Sequence, residues 1–385
     1  MLGNYPSAIR YNCSMSMHSA LGIAKSKNHK PAKSLLDLSL QELREWIRLR
    51  GYPEYRAVQV WQAIYRQLEV DPEKMTSLPK ALREVLSAEF PFPNITPVRT
   101  FVADGGDTEK VLFQLEDGNA IESVLMEYMD GRATVCVSSQ AGCAIGCTFC
   151  ATGLGGFYRN LSAGEIVYQI LYFSKKLRDK GKRLTNIVYM GMGEPLANLD
   201  AVWRSVENLH EPTGMNFSAR RITISTAGLV HQIDRFPPTD LQVNLAISLH
   251  APNDDLRTSI MPINRRWPIS ELIASAKRYV ERTHRRITFE YVLIAGCNSS
   301  KEHARDLSNL LRGLLCHVNL IPLNRVPGSP FEPPSTEEVN TFRDILLSAG
   351  IPCTVRLERG ADILAACGQL RMEHSLHDAA IPRHI

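Results

Sequence analysis

The chain has 385 residues, 44% of them hydrophobic, and is long enough to bury a large core and to form one large domain with a smaller one. Its nine cysteines are too few for a secreted disulfide scaffold, and it has no run of about 18 apolar residues that could span a membrane. The net charge of +4 is too small to identify a nucleic-acid partner, although it does not oppose one.

The first 36 residues are rich in serine and carry basic residues without any acidic residue. This composition predicts a disordered basic tail over residues 1–36, although organelle transit peptides have a similar composition. We therefore expect a cytoplasmic protein and keep an organellar location as the alternative. The tail contains no long apolar segment, so we do not expect secretion.

Residues 37–95 are predicted to form a small helical accessory domain. Ser39 and Glu42 have the spacing of a capping box, and apolar residues recur at helical spacing after them. Two further amphipathic stretches follow, around residues 57–65 and 78–86. A domain of this kind could contact RNA or only stabilise the chain, and the sequence supports both interpretations equally.

Residues 96–132 are predicted to form a short β-rich linker. Short apolar runs alternate here with Gly-Gly at 105–106 and Asp-Gly at 117–118 and 130–131. These dipeptides are turn signals between antiparallel strands. We therefore expect a small β-meander that connects the helical domain to the larger part of the chain.

Residues 133–372 alternate between strand and helix patterns. The strand candidates are residues 134–139, 186–190, 221–225, 243–249, 287–294, 317–323 and 352–357. The helix candidates lie near residues 162–180, 199–210, 228–235, 269–284, 301–315 and 336–349. Six βα repeats of this kind predict an α/β fold whose parallel sheet is curled into a barrel or partial barrel, with a flat doubly wound sheet as the alternative. Residues 373–385 are predicted to be a C-terminal tail.

Three cysteines, Cys143, Cys147 and Cys150, follow the first of these strands with the spacing C-x3-C-x2-C. Three thiolates on one short loop can bind three irons of a 4Fe–4S cluster and leave the fourth iron open to a small molecule. A structural zinc site is the alternative, but such sites usually use four ligands, and no second ligand pair follows. Thiolates that bind a metal also indicate a reducing compartment.

Other residues suited to chemistry also follow strands. In either βα architecture, the working face lies at the carboxyl ends of the strands. The residues in question are Gly191 to Pro195, Ser225, Ser248 to His250, and Asn324. Arg265 and Arg266 follow the fourth strand and are candidates for contact with phosphate.

Four segments form a highly specific combination of motifs. They are Cys136 to Cys150, Gly191-Met-Gly-Glu-Pro195, Ser248-Leu-His250 and Gly360-Ala-Asp-Ile-Leu-Ala-Ala-Cys-Gly-Gln-Leu370. Together they resemble the RlmN/Cfr family of radical S-adenosylmethionine (SAM) methyltransferases, which act on adenosines in RNA. The resemblance covers about residues 37–372. It implies a partial (βα)6 TIM-like radical SAM barrel with a 4Fe–4S cluster bound by the three cysteines.

The resemblance also implies a covalent mechanism that consumes two SAM molecules per turnover. One SAM methylates Cys367, and a second SAM, bound to the open iron, is cleaved to a radical that activates the S-methyl group. The methylene radical adds to adenine and joins the RNA to the protein. Glu122 matches the family's proton acceptor, and Cys136 matches the thiol that releases the product through a transient disulfide with Cys367.

The resemblance extends to the SAM site and to the partners. The residues that match SAM contacts are Gly193, Glu194, Ser225, Ser248, Leu249, His250 and Asn324. The implied substrates are 23S rRNA, in the peptidyl-transferase region, and tRNA, next to the anticodon. The implied reaction is methylation of adenosine at C2 by a monomeric enzyme that takes electrons from a flavodoxin- or ferredoxin-type donor, with no membrane involved.

Several alternatives stay open at this point. The C8-methylating branch of the family shares these motifs, a radical SAM enzyme that does not act on RNA would also need the cluster, and an RNA-binding protein with a structural metal is a third possibility. Cys136 alternates with Val135 and Val137 and would also suit an inert buried position, and His250 would suit a structural one. Cys297, Cys316 and Cys353 lie outside any motif and are interpreted as core residues.

Overall fold

A ten-stranded sheet organises the residues that the computed structural model describes, which are 33–90, 95–236, 241–326, 329–356 and 359–370. The strands are β1 (Thr96–Ala103), β2 (Thr108–Gln114), β3 (Ala120–Glu127), β4 (Ala133–Cys136), β5 (Gln140–Gly142), β6 (Phe157–Asn160), β7 (Asn186–Tyr189), β8 (Ile222–Thr226), β9 (Asn244–Ser248), β10 (Ile287–Leu293), β11 (Cys316–Pro322) and β12 (Cys353–Val355). The order in the main sheet is β1-β2-β3-β4-β7-β8-β9-β10-β11-β12, and β5 and β6 form a separate pair.

Helices connect the parallel strands and also form the N-terminal region. They are α1 (Leu40–Leu49), α2 (Tyr55–Tyr65), α3 (Lys80–Glu89), α4 (Ala151–Leu154), α5 (Ala163–Asp179), α6 (Leu199–His210), α7 (Val230–Asp234), α8 (Asp254–Ile260), α9 (Ile269–Thr283), α10 (Lys301–Leu311) and α11 (Thr336–Ser348). None of the helices in the described ranges is both long and apolar enough to cross a membrane.

The parallel part of the sheet runs from β4 through β7 to β12 in chain order. A doubly wound sheet would reverse its strand order at a switch point, and this one does not. Val124 of β3 and Arg356 just after β12 line the same cavity, although they come from distant positions in the sheet. The sheet is therefore curled, and the predicted partial barrel of six βα units is confirmed.

Successive side chains of a strand point to opposite faces of the sheet, and these faces meet the core on one side and the cavity on the other. In β10, the side chains of Phe289 and Tyr291 are fully buried, and the Tyr291 ring lies 5.2 Å from the ring of Phe342 in α11. Glu290 and Val292 point to the other face and line the cavity. The apolar residues thus hold the outer helices against the sheet while their neighbours are presented to the site.

The β-meander predicted for residues 96–132 is present, and its strands are continuous with the main sheet. Its strands β1 to β3 pair antiparallel, and β3 continues onto β4, with Val124 opposite Cys136. This pairing hydrogen-bonds the backbone edge of β4, which would otherwise be exposed. Sequence turn signals located these strands but could not show what the third one pairs with.

The N-terminal helices pack on the outside of α5 and α6. The capping box is present, because Ser39 accepts from the Glu42 N–H at 3.1 Å and Glu42 accepts from the Ser39 N–H at 2.7 Å. Asn208 of α6 donates to the carbonyls of Leu36 and Leu38. Leu36 is buried, so the ordered region begins before the predicted boundary at residue 37. The remainder of the predicted tail, residues 1–32, and the predicted C-terminal tail lie outside the described residues.

Candidate active site

One large cavity opens at the carboxyl ends of the parallel strands. It encloses about 1530 Å³ including the solvent space at its open mouth. Most of the site residues predicted from sequence line it: Cys136, Cys143, Cys147, Cys150, Gly193, Glu194, Ser225, Ser248, His250, Asn324 and Cys367. Glu122 and Leu249, also predicted, are buried nearby and do not line it.

A tight glycine turn shapes the three-cysteine loop. Gly142 has φ +74°, and a Cβ there would lie 2.0 Å from the carbonyl oxygen of Gly156. The same carbonyl accepts from the Cys143 N–H at 2.7 Å. Only glycine allows this close approach of two backbones, so it sets the direction in which Cys143 enters the cavity.

The donor set of the loop fits an iron–sulfur cluster better than a single ion. A zinc ion needs all its thiolates at about 2.3 Å from one point. Within the described ranges, no three Cys, His, Asp or Glu side chains converge closely enough to hold one metal ion. A cluster allows each of Cys143, Cys147 and Cys150 to bind a different iron, so the sulfurs can lie farther apart while facing one cavity.

The electrostatics of these thiols also favours a cationic group. Burial is the main cause that raises the pKa of Cys143 to about 12 and that of Cys147 well above the usual value, and the charges of neighbouring cysteines contribute to both shifts. Buried thiolates at this position therefore need compensating positive charge, which iron would provide.

Glu194 is held in the cavity wall by backbone donors. Its carboxylate accepts from the Leu196 N–H at 2.9 Å and from the Ala227 N–H at 2.6 Å. Burial raises its pKa to about 7, against the lowering effect of these hydrogen bonds. Gly193, with φ +102°, lets the chain pass the backbone of Gln140. Glu194 lines the cavity, where its carboxylate can accept hydrogen bonds from the ammonium group of a ligand.

His250 combines a structural contact with a place in the cavity. Its Nδ1 accepts from the Val292 N–H at 2.9 Å, and its ring packs edge-on against Phe149 with centroids 5.0 Å apart. Burial, followed by the charge of Arg257, lowers the pKa of His250 to about 3. The ring is therefore neutral and carries its proton on Nε2, as a hydrogen-bond donor.

Arg257 of α8 joins the ends of two cavity strands and was not singled out from the sequence. Its guanidinium donates to the carbonyls of Ala227 at 2.7 Å, Ser248 at 3.1 Å and Leu249 at 3.1 Å. Its side chain is fully buried. These bonds fix the loops that carry predicted SAM contacts. A single arginine in a short helix is typical of an exposed position, so no sequence signal identifies Arg257 as a buried residue of the site.

The loop that carries Cys367 is tied across the cavity at several points. Asn324 donates from Nδ2 to the Cys367 carbonyl at 3.0 Å. The N–H of Ala151, the first residue of α4, donates to the Gly368 carbonyl at 2.8 Å. Gln369 donates to the Arg325 carbonyl at 2.7 Å. The loop is thus fixed both to the three-cysteine segment and to the end of β11. The Asn324 amide holds this loop in addition to facing the cavity.

Cys136 and Cys367 are free thiols that face the same cavity. Burial, and after it the charge of Cys367, raise the pKa of Cys136 to about 12. Cys367 is accessible from the cavity, yet the protein atoms around it exclude bulk water and raise the pKa of its thiol. The charge of Cys367 acts on Cys136, and both thiols line the same cavity.

Glu122 lies behind the cavity wall in β3. Its Oε1 is 2.7 Å from Nζ of Lys110, and both side chains are buried. Lys110 also donates to the Leu364 carbonyl at 3.2 Å, so the pair connects the sheet to the Cys367 loop. Glu122 shares a strand face with Val124 and Met126, which do line the cavity. Its predicted role as proton acceptor stays a prediction.

Comparison with known proteins identifies two family models in the chain. Residues 137–307 match the radical SAM superfamily, and residues 33–90 match the N-terminal domain of the ribosomal RNA large subunit methyltransferase. The first match covers the strands β7 to β10 of the parallel barrel with their helices, and the second covers the helices α1 to α3.

Full-length relatives are also similar. The probable dual-specificity RNA methyltransferase RlmN of Chloroflexus aurantiacus is 50% identical over 355 residues, covering 89% of this chain and 94% of that protein. The protein of the same name from Dictyoglomus thermophilum is 47% identical, with 88% and 96% covered. The crystal structure of a radical SAM methyltransferase from Sphaerobacter thermophilus is 58% identical, covers 88% of this chain and 99% of its own, and superposes with a TM-score of 0.86.

Proposed function

We propose that this chain, which belongs to the RlmN family of radical SAM RNA methyltransferases, methylates C2 of adenosine in the peptidyl-transferase region of 23S rRNA and next to the anticodon in tRNA. The names of its relatives as dual-specificity RNA methyltransferases support both classes of substrate. The N-terminal helical region of that family is present.

The observation that carries the proposal is the pair of free thiols, Cys136 and Cys367, in the cavity that also holds the three-cysteine loop. C2 of adenine is neither acidic nor nucleophilic, so direct polar transfer of a methyl group from SAM would fail. One thiol can instead carry the methyl group, and the other can release the product. A radical SAM enzyme that did not act on RNA would have no use for this pair.

The cofactor and the cosubstrate would occupy neighbouring parts of the cavity. Cys143, Cys147 and Cys150 would hold a 4Fe–4S cluster, which supplies the electron that cleaves SAM. The Glu194 carboxylate would bind the SAM ammonium group, and Ser225, Ser248, the backbone at Leu249, and His250 would contact the remainder. We further propose that two SAM molecules are used per turnover, one for Cys367 and one for the radical.

The chain's own groups perform the later steps. The Cys367 thiolate accepts a methyl group, whose carbon, after loss of a hydrogen atom, adds to C2 of adenine. Glu122 takes the proton from C2, and the unpaired electron of the adduct would return to the bound cluster, which leaves a closed-shell thioether between Cys367 and adenine. The Cys136 thiolate then attacks the Cys367 sulfur, so that an S–S bond forms while the S–C bond breaks. The electron pair of that bond goes to the carbon, which is protonated to the methyl group.

The remaining partners follow from this chemistry. Cleavage of SAM needs one electron from outside the chain, and we propose a flavodoxin- or ferredoxin-type donor. We propose that the enzyme acts as a cytoplasmic monomer, since its substrates are RNAs and its thiols need a reducing compartment.

Nucleoside analysis tests this function. The anaerobically reconstituted protein is incubated with SAM, a reductant and either rRNA fragments or tRNA, and the digested RNA is analysed by mass spectrometry. We expect 2-methyladenosine from both RNAs. Finding 8-methyladenosine instead would establish the C8 branch of the family, and finding no methylated adenosine while SAM is still cleaved would point to a substrate other than RNA.

A further inference from the structure

Arg356 occupies a central place in the cavity without a role in the scheme above. It directly follows β12, and its N–H donates to the Leu320 carbonyl at 2.8 Å, which continues the sheet register by one residue. Its side chain lines the cavity together with Cys136, Glu290 and Cys367. The backbone hydrogen bond fixes where the guanidinium enters the site.

The guanidinium of Arg356 has few partners of its own. Within the described parts of the chain, its one side-chain hydrogen bond is a weak contact from Nη1 to Sδ of Met190 at 3.9 Å. Met190 also directs its backbone N–H at the sulfur of Cys136. One residue therefore contacts both Arg356 and Cys136, and both of these side chains line the same cavity.

Arg356 and the charged groups around it shift one another's pKa values. Burial alone would lower its pKa, but the charges of Cys367, Glu290, Cys136 and Tyr128 raise the pKa of Arg356 overall, so it stays protonated. In return, Arg356 lowers the pKa of Cys136 against the raising effects of burial and of Cys367. The guanidinium thus stabilises negative charge on that sulfur.

We propose that Arg356 is a positioning residue that stabilises the Cys136 thiolate when it attacks the sulfur of Cys367. The inference rests on the proposed function for the identity of that step. Only the thiolate is a nucleophile, and burial keeps most of the Cys136 thiol protonated, so a nearby cation increases the fraction of thiolate that can attack. As the S–S bond forms, the negative charge leaves Cys136 with the electron pair of the breaking S–C bond, so Arg356 acts before the exchange and not on the product.

A thiol-modification experiment tests this role without the reaction. The full-length protein, free of RNA and SAM, is treated with methyl methanethiosulfonate, a small thiolate-specific reagent, and modification of Cys136 is followed by peptide mass spectrometry between pH 6 and about 10. In Arg356→Gln and Arg356→Met, we expect modification at neutral pH to be about tenfold slower, as for a pKa raised by one unit. In Arg356→Lys the positive charge remains, and we expect most of the rate to return.

Arg359→Gln is the matched control. It removes the same charge three residues away, from a side chain that lines the same cavity and packs over Tyr128. We expect its Cys136 profile to match that of the unaltered protein. An unchanged profile in both neutral variants, or an Arg356→Lys protein as slow as they are, would overturn the proposal. Two neutral variants are used so that misfolding of one of them does not decide the result.

The reconstituted enzyme with SAM and RNA provides a second measurement, the amount of protein–RNA crosslink. In Arg356→Gln, slower attack by Cys136 should increase the protein–RNA crosslink at least severalfold over the unaltered protein, and raising the pH should reduce it again. A crosslink level that equals that of the unaltered protein at every pH would contradict the role. If no RNA is methylated by any variant, the proposed function fails, while the modification of Cys136 still decides the role of Arg356.

Discussion

Replacing Cys136 by Ala should trap the protein on its RNA. The radical addition to adenine uses Cys367 and does not require Cys136, so the crosslink still forms. Release requires a second thiol within reach of the Cys367 sulfur, and Cys136 is a free thiol in the same cavity on which the charge of Cys367 acts. We expect a covalent complex that survives denaturing gel electrophoresis and a loss of multiple turnover of at least a hundredfold.

Two controls make this result specific. Cys367→Ala removes the methyl carrier, and we expect neither product nor crosslink. Cys316→Ala removes a cysteine that is buried in β11 away from the cavity, and we expect normal turnover without a crosslink. Turnover at the unaltered rate in Cys136→Ala, with no trapped species, would contradict the covalent mechanism.

Replacing Glu194 by Gln should weaken SAM binding by about tenfold to a hundredfold. A charge-assisted hydrogen bond is worth about 1.5–3 kcal/mol, and the substitution removes the charge at nearly constant shape. The side chain also loses an acceptor toward the Leu196 or Ala227 N–H, so the loop after β8 is less well held. Equilibrium binding of SAM to the anaerobically reconstituted protein measures the effect.

Glu290→Gln is the matched control for this prediction. It removes another buried carboxylate from the same cavity, one that accepts a hydrogen bond from Asn319 at 2.8 Å. We expect its affinity for SAM to stay within about threefold of the unaltered protein. Equal weakening in both variants would indicate a general effect of cavity charge and would remove Glu194 from the ammonium site.

Much of the site was predictable because its residues sit where strands end. Local backbone geometry can be predicted directly from a sequence. Examples are the spacing of Cys143, Cys147 and Cys150, and the glycine before Glu194. Alternation of strand and helix then predicts that these segments meet at one edge of the sheet, as they do around the cavity.

Other features depend on contacts between distant segments and leave no local pattern. The ion pair of Lys110 with Glu122 joins neighbouring antiparallel strands, and its link to Leu364 spans most of the chain. Arg257 looks like a surface residue until three carbonyls of two strand ends are found around it. Glu122 is buried on the same face of β3 as the cavity-lining Val124 and does not itself line the cavity, which its motif does not reveal.

The measurement that tests the account most directly is the iron and sulfide content of the anaerobically purified and reconstituted protein. We expect a brown protein with about four irons and four sulfides per chain, as one 4Fe–4S cluster requires. Replacing Cys147 by Ser should remove most of this iron. A colourless protein with one zinc and no iron would contradict the account, because neither the SAM site nor the two thiols of the cavity would then serve radical chemistry.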